Sequence, residues 1–222
     1  MSKIQLIEVK EDILADNDAA ANELRTTLKN EKTFMVNLMA SPGAGKTSLL
    51  LQTIRALRND LKIAVIEADI DSVVDAEKIA ETGIPSVQLR TGGFCHLDVS
   101  MVKKGLAALD TRSLDLIFIE NIGNLVCPAE FDTGATIDIM ILSVPEGDDK
   151  PLKYPLMFSK CHALIVNKTD YLHLSDFNME RMEERVRRLN PNIKIFKASC
   201  KTGEGLDLWA GWLLETARSH VR

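Results

Sequence analysis

From Ala40 to Ser48 the chain reads Ala-Ser-Pro-Gly-Ala-Gly-Lys-Thr-Ser, with two glycines followed by a lysine and two hydroxyls. That order suits a phosphate group. Glycines let successive backbone N–H groups close around the anion, a lysine reaches the outer phosphate oxygens, and a hydroxyl holds Mg²⁺. Gly43, Ala44, Gly45 and Ser48 are therefore expected in a phosphate cradle, with Lys46 at the β- and γ-phosphates and Thr47 at the metal. Ala40 stands where this P-loop pattern usually opens with glycine, and alanine serves there if its φ is negative.

Carboxylates supply the next requirement. The apolar run Asp115 to Ile119 closes on Glu120, and Gly123 follows three residues later. A carboxylate at that point orders a Mg²⁺-bound or attacking water, and the Gly123 amide senses a γ-phosphate. Asp69 and Asp75 follow the run Lys62 to Glu67 and are further candidates for the metal or the attacking water. Either reads as a switch residue, and Asp75 reads equally as an acid in the first turn of a helix.

Asn167-Lys168-Thr169-Asp170 closes another apolar run and selects a base. The Asp170 carboxylate accepts from guanine N1–H and its 2-amino group, whereas adenine offers an acceptor at N1 and no 2-amino donor. Rejection by unsatisfied polar groups is strong, on the order of 10⁴-fold. Lys168 can cover the base with its stem, and Asn167 can tie this loop to the cradle. Ser199, Cys200 and Lys201, after the last apolar run, are placed to meet the base edge. GTP is thus the expected nucleotide, bound with Mg²⁺. A small-molecule kinase would need only the cradle and leaves Asn167 to Asp170 unexplained.

A third group of residues does not belong to nucleotide chemistry. Cys95 and His96 in one loop, and Cys127 in another, flank the run that ends at Glu120. Thiolate and imidazole suit Zn²⁺ or Ni²⁺, and three such ligands leave a fourth position to water or a second subunit. Cys161 and Cys200 read as structural.

These loops need a scaffold. Strands are expected at 33–39, 62–67, 86–89, 114–120, 137–144, 163–167 and 193–197, with helices at 12–28, 48–57, 74–82, 99–109, 177–189 and 206–219. Alternation at this spacing predicts an α/β fold: a mostly parallel sheet of about seven strands with helices on both faces and ligands at the carboxyl ends of the strands. Residues 1–32 are expected to form a helical N-terminal segment and 33–222 the nucleotide-binding domain. A net charge of −5 over 222 residues, with lysines and arginines scattered, excludes a nucleic-acid footprint. No apolar run approaches the roughly 18 residues that span a bilayer, and Met1 to Leu6 lack a secretory apolar core, which predicts a cytoplasmic protein. In that compartment four cysteines read as thiols or metal ligands.

Taken together, Ala40 to Thr47, Gly92 to Asp98, Phe118 to Asp132, Pro145 to Lys150 and Val166 to Asp170 resemble the hydrogenase nickel-incorporation GTPases, the HypB family. The resemblance runs from about Thr33 to Trp212, and the Cys95-His96-Leu97-Asp98 and Glu120 to Pro128 pair makes it specific. It implies a P-loop GTPase that dimerises on binding GTP, with active sites facing each other. It further implies delivery of nickel to a [NiFe]-hydrogenase precursor, alongside maturation partner proteins and the hydrogenase large subunit. By the same resemblance Cys95, His96 and Cys127 are metal ligands near the dimer interface, Thr47 and Glu120 serve Mg²⁺ and the γ-phosphate, and Asp75 lies in a switch loop. No histidine tract or cysteine motif precedes the cradle. Related GTPases for urease or a cobalamin-dependent mutase are the nearest alternative; urease-type members characteristically show Cys-Pro-His where this chain has Cys95-His96 and Cys127-Pro128. A regulatory GTP switch with a structural zinc is the other.

Overall fold

The computed structural model describes residues 9–221. The reading of residues 1–6 as lacking a secretory core, and the start of the expected 1–32 segment, lie outside the described residues. In chain order the elements are α1 (Val9–Asn30), β1 (Phe34–Ala40), α2 (Lys46–Leu57), β2 (Ile63–Asp69), α3 (Val74–Ala80), β3 (Ser86–Arg90), α4 (Val99–Leu106) and β4 (Leu116–Glu120). They continue as α5 (Cys127–Glu130), β5 (Ile137–Ser143), α6 (Lys150–Lys153), α7 (Pro155–Lys160), β6 (Ala163–Asn167), α8 (Met179–Leu189), β7 (Lys194–Lys197) and α9 (Leu206–Val221).

The seven strands form one sheet in the order β3-β2-β4-β1-β5-β6-β7, and every pairing is parallel. Parallel strands buried on both faces read as continuous apolar runs, and all seven residues of β1 are buried. Alternate residues serve opposite faces. Val36 and Leu38 pack with Leu49, Leu50 and Ile54 of α2 and with Trp209 and Leu213 of α9. On the other face Met35, Ile66 and Ile119 meet Leu24 and Leu28 of α1 and Val102 of α4, while Met140 and Val166 meet Phe158 of α7 and Met182 of α8. The helix expected at 12–28 is therefore longer, and it packs into the same core as the sheet. Trp209 is buried, and its Nε1–H donates to Thr53 Oγ1 at 2.9 Å, so the largest side chain in this core carries no orphaned donor.

The strand order reverses across β1, which lies between β4 and β5. Its crevice opens at the carboxyl edge, where ligands settle in open α/β sheets. A depression of about 630 Å³ lined by Arg58, Leu61, Pro85 and Leu114 lies at the opposite edge, away from every motif residue. Beneath the crevice a buried polar chain runs from the turn after β4 across β1 to β5: Asn121 Nδ2 donates to Asn37 Oδ1 at 3.1 Å, and Asn37 Nδ2 donates to Asp138 Oδ1 at 2.9 Å. It fixes the turn that follows β4.

Candidate nucleotide and metal sites

β1 delivers the chain to the cradle at Ala40. Among described residues other than glycine, only Lys32 and Lys168 have positive φ, so alanine is accommodated at position 40. The loop turns through Gly43 (φ 76°) and Gly45 (φ 102°), and α2 starts at Lys46. A Cβ on Gly45 would run into Asn167 Nδ2, so glycine is required there for space as well as conformation. That Nδ2 donates to Ala44 O at 2.9 Å, while Asn167 Oδ1 accepts from Cys200 N–H at 3.2 Å. Lys168 Nζ donates to Gly43 O at 2.7 Å. Cradle, Asn167-Lys168 and the loop after β7 are thereby one unit, although the cradle precedes Asn167 and Lys168 by 123 and 125 residues. Ser48 is exposed on the first turn of α2.

Asp170 lies in a short helical turn, Thr169–Leu174. Ser199 Oγ donates to its Oδ1 at 2.6 Å, and the Lys201 ammonium stands 4.0 Å from Oδ2. The hydroxyl thus orients a carboxylate that faces the base loop. Burial pushes the Cys200 thiol up to about 11, so it stays protonated and unreactive, in keeping with a structural role.

Thr47 Oγ1 donates to Glu120 Oε1 at 2.6 Å, and Glu120 Oε2 is buried without a partner. Hydroxyl and carboxylate converge on one point, the oxygen-rich environment that a small divalent cation prefers. Burial raises the Glu120 carboxyl to about 7 against the opposing pull of the Thr47 bond and Lys46. Lys46 is lowered by burial, with Glu120, Asp75, Glu146 and Asp69 opposing. Asp69 Oδ1 accepts from the N–H groups of Asp71 and Ser72 at 2.9 and 2.6 Å, which ties it into the turn before α3. Asp75 sits in the first turn of α3, pairs with Lys78 at 2.7 Å, and stays within electrostatic reach of Glu120 and Lys46. Gly123 brings its backbone against the cradle, since a Cβ there would stand 3.0 Å from Pro42 N and Cγ.

The cysteine and histidine loops meet. Sγ of Cys95 and Cys127 and a ring nitrogen of His96 lie within 4.8 Å of one another, and the two sulfurs are 3.2 Å apart. The hydrogen bond from Cys95, together with burial, holds the Cys127 thiol above its ordinary value, and burial lowers His96. A neutral imidazole beside two thiols is a donor set for a borderline-soft cation. Three residues that sequence reasoning passed over organise it. Asn124 Nδ2 donates to Cys95 O at 3.2 Å while its Oδ1 accepts from Val126 N–H at 3.0 Å, which bridges the two loops. The His96 ring stacks on Phe131 with centroids 4.0 Å apart. Asn17 of α1 reaches both sides, accepting from Val99 N–H at 3.1 Å and donating to Asp132 O at 2.9 Å. Their only sequence signal was proximity to a cysteine or a mid-helix amide.

Fold and site together define a P-loop nucleotide-binding protein with a guanine-type base loop and an adjoining Cys/His centre. The nucleotide-binding domain of the CobW/HypB/UreG family matches residues 34–197. The hydrogenase maturation factor HypB of Azotobacter vinelandii is 46% identical over the whole chain, which covers 73% of that protein. Its Escherichia coli K12 counterpart is 43% identical over 98% of the chain and 75% of its own length. The crystal structure of Helicobacter pylori HypB in complex with nickel superposes with a TM-score of 0.87 at 36% identity, covering 93% of this chain and 97% of that one. The chain belongs to the CobW/HypB/UreG family and, within it, to the HypB hydrogenase maturation factors.

Proposed function

We propose that this chain hydrolyses GTP to assist delivery of nickel to a [NiFe]-hydrogenase precursor, with the nucleotide state controlling the hold on the metal. One observation carries the reading: the eight residues from Glu120 to Cys127 begin at the hydroxyl of the cradle and end at the Cys/His centre. A change at the γ-phosphate therefore has a direct mechanical route to one of three metal ligands.

The roles follow from placement. Backbone N–H groups from Gly43 to Thr47, with Lys46, hold the phosphates, and Thr47 and Glu120 hold Mg²⁺, with Asp69 alongside. The converging hydroxyl and the orphaned, buried Glu120 Oε2 fit that ion. When bound, Mg²⁺ supplies charge neutralisation on the transferring phosphoryl group. Glu120 or Asp75 orients the attacking water, and the Gly123 amide faces the γ-phosphate. Asn167, Lys168, Asp170, Ser199, Cys200 and Lys201 bind guanine. Cys95, His96 and Cys127 bind the cargo nickel, or zinc in its place.

GTP-dependent homodimerisation belongs to this reading. Phe94 and Val126 beside the ligands, with Ile70 before α3 and Val74 at its start, are apolar and exposed, as an association surface requires. Maturation partner proteins and the hydrogenase large subunit are the proposed recipients, in the cytoplasm. Among the described residues no helix is long and apolar enough to cross a membrane.

The test is complementation. In cells lacking their own maturation GTPase, the wild-type chain is expected to restore hydrogenase activity, whereas Lys46→Ala and Cys127→Ala are not. In vitro, Lys46→Ala abolishes hydrolysis. The wild type alone turns over slowly, because the Glu120 loop holds no glutamine and the sequence shows no evident arginine finger; comparable GTPases run at about 10⁻⁴ to 10⁻³ s⁻¹. Restoration by Lys46→Ala at the wild-type level rejects the proposal.

A further inference from the structure

β4 ends in Glu120 and β2 carries Glu67 two residues before its last residue, Asp69, and the sheet sets the two glutamates side by side. Glu67 pairs with Glu120 in the β2–β4 register, and neighbouring strands run roughly 4.8 Å apart. Register partners in a parallel pair point to the same face, so Glu67 faces the side where Glu120 receives the Thr47 hydroxyl. Glu67 is 3% exposed, and its Oε2 has no partner. Gln88, its register partner on β3, stands close enough to favour the charged carboxylate, and its Nε2 also donates to Ser72 O. Among the charged groups that act on Glu67 most strongly are Glu120, Asp69 and Asp75, each of them acidic.

A buried carboxylate among three acids costs several kcal/mol unless something positive or a donor meets it. An apolar residue would fill the end of β2 at no such cost, as Ile66 and Val65 do nearby. Two orphaned oxygens, one on each glutamate, therefore belong to neighbouring side chains on the face from which the cradle's hydroxyl reaches Glu120. Mg²⁺ surrenders its waters reluctantly and is held by one or two carboxylates plus phosphate oxygens, its remaining waters bonded to further acceptors.

The geometry points to Glu67 as a positioning residue of the Mg²⁺ site, accepting through Oε2 a hydrogen bond from a water of the ion's shell while Glu120 and Thr47 hold the ion's protein side. This rests on the proposed binding of Mg²⁺ with a guanine nucleotide at the cradle. Glu67 is then the acceptor that fixes the shell's orientation from the β2 side, and the negative potential of the pair favours a divalent over a monovalent cation.

The experiment measures binding of a fluorescent GDP to the full chain, first in EDTA and then across a Mg²⁺ titration, for wild type, Glu67→Gln and Glu67→Asp. Glutamine keeps shape and removes charge. Loss of such an acceptor typically lowers metal affinity by about 10- to 100-fold. The Mg²⁺ concentration for half-maximal effect is therefore expected to rise at least about tenfold in Glu67→Gln, with GDP affinity in EDTA preserved and Glu67→Asp intermediate. A wild-type Mg²⁺ profile in Glu67→Gln overturns the assignment. So does an equal loss in the Gln and Asp variants that tracks a lowered melting temperature, since that marks a packing role. If the wild type itself binds no guanine nucleotide in either medium, the proposed function fails first and the role of Glu67 falls with it.

Discussion

Asp170 is held by a donor on one oxygen, and that shapes what it can recognise. With Ser199 fixing Oδ1, the carboxylate presents acceptors to a base edge that must carry donors, as guanine does at N1 and the 2-amino group. Asp170→Asn puts an amide donor against those donors, and two hydrogen bonds to a charged group are worth about 1.5–3 kcal/mol each. GTP affinity is expected to fall roughly 10²-fold or more, while xanthosine triphosphate, with a carbonyl at C2, gains. Competition binding decides this; GTP binding by the variant at wild-type strength contradicts it. Glu120 makes a pH prediction. Burial lifts its folded-state value to about 7 from 4.5. The folded chain thus holds a proton that the unfolded chain has released, and that stabilisation is complete below pH 4.5 and lost as pH rises through 7. Glu120→Gln keeps a neutral group throughout. In melting experiments without metal or nucleotide it is expected to match the wild type near pH 4.5 and exceed it at pH 8. A constant difference between the two across that range removes the buried-proton account.

Elements convert these residues into sites, and the loop after β4 does so through a single amide. Asn124 ties Cys95 O to the backbone ahead of Cys127, which keeps the sulfurs 3.2 Å apart. Asn124→Ala is expected to weaken Zn²⁺ or Ni²⁺ binding by about tenfold, the usual cost of losing a group that orients ligands, and to leave GDP affinity unchanged. Chelator competition reads the first and fluorescent GDP the second; undiminished metal binding would show that the loops meet without this bridge. Much of the scaffold was legible beforehand. β1, β4, β5 and β6 announce themselves as apolar runs, and the cradle, Glu120 and Asn167 stand at the ends of β1, β4 and β6, because a parallel sheet must be buried on both faces and gathers its strand ends on one edge. The helices α6 and α7 were not legible. Pro151 and Pro155 stand in their first turns, where a missing N–H costs nothing. Glu67 was read only as the end of a strand, because its pairing with Glu120 depends on the order of the strands, and no local pattern encodes which non-consecutive strands become neighbours.

At the scale of the whole molecule, two sites share one lever. Thr47 binds Glu120 at one end of the segment, the polar chain of Asn121, Asn37 and Asp138 clamps its root, Gly123 lies against Pro42, and Cys127 opens α5 at the other end. α5 is a single turn that carries Pro128. Opposite stand Cys95 and His96, seated on α4 through the Asp98 cap and on α1 through Asn17. These supports do not touch the phosphate cradle. On the proposed function, a γ-phosphate is expected to displace one ligand relative to the other two, so that metal affinity depends on the nucleotide. Coupling of this kind is typically about 1–3 kcal/mol, or roughly 5- to 150-fold in affinity, and linkage makes it reciprocal. Metal titrations of the apo, GDP and GTP-analogue forms are expected to differ by such a factor, and bound metal is expected to shift GTP affinity by the same factor. Cys127→Ala removes both metal binding and the metal's effect on the nucleotide while leaving GTP binding itself in place. Equal metal affinity in all three forms would reduce Cys95, His96 and Cys127 to a static centre, and the GTP cycle would have no hold on the cargo.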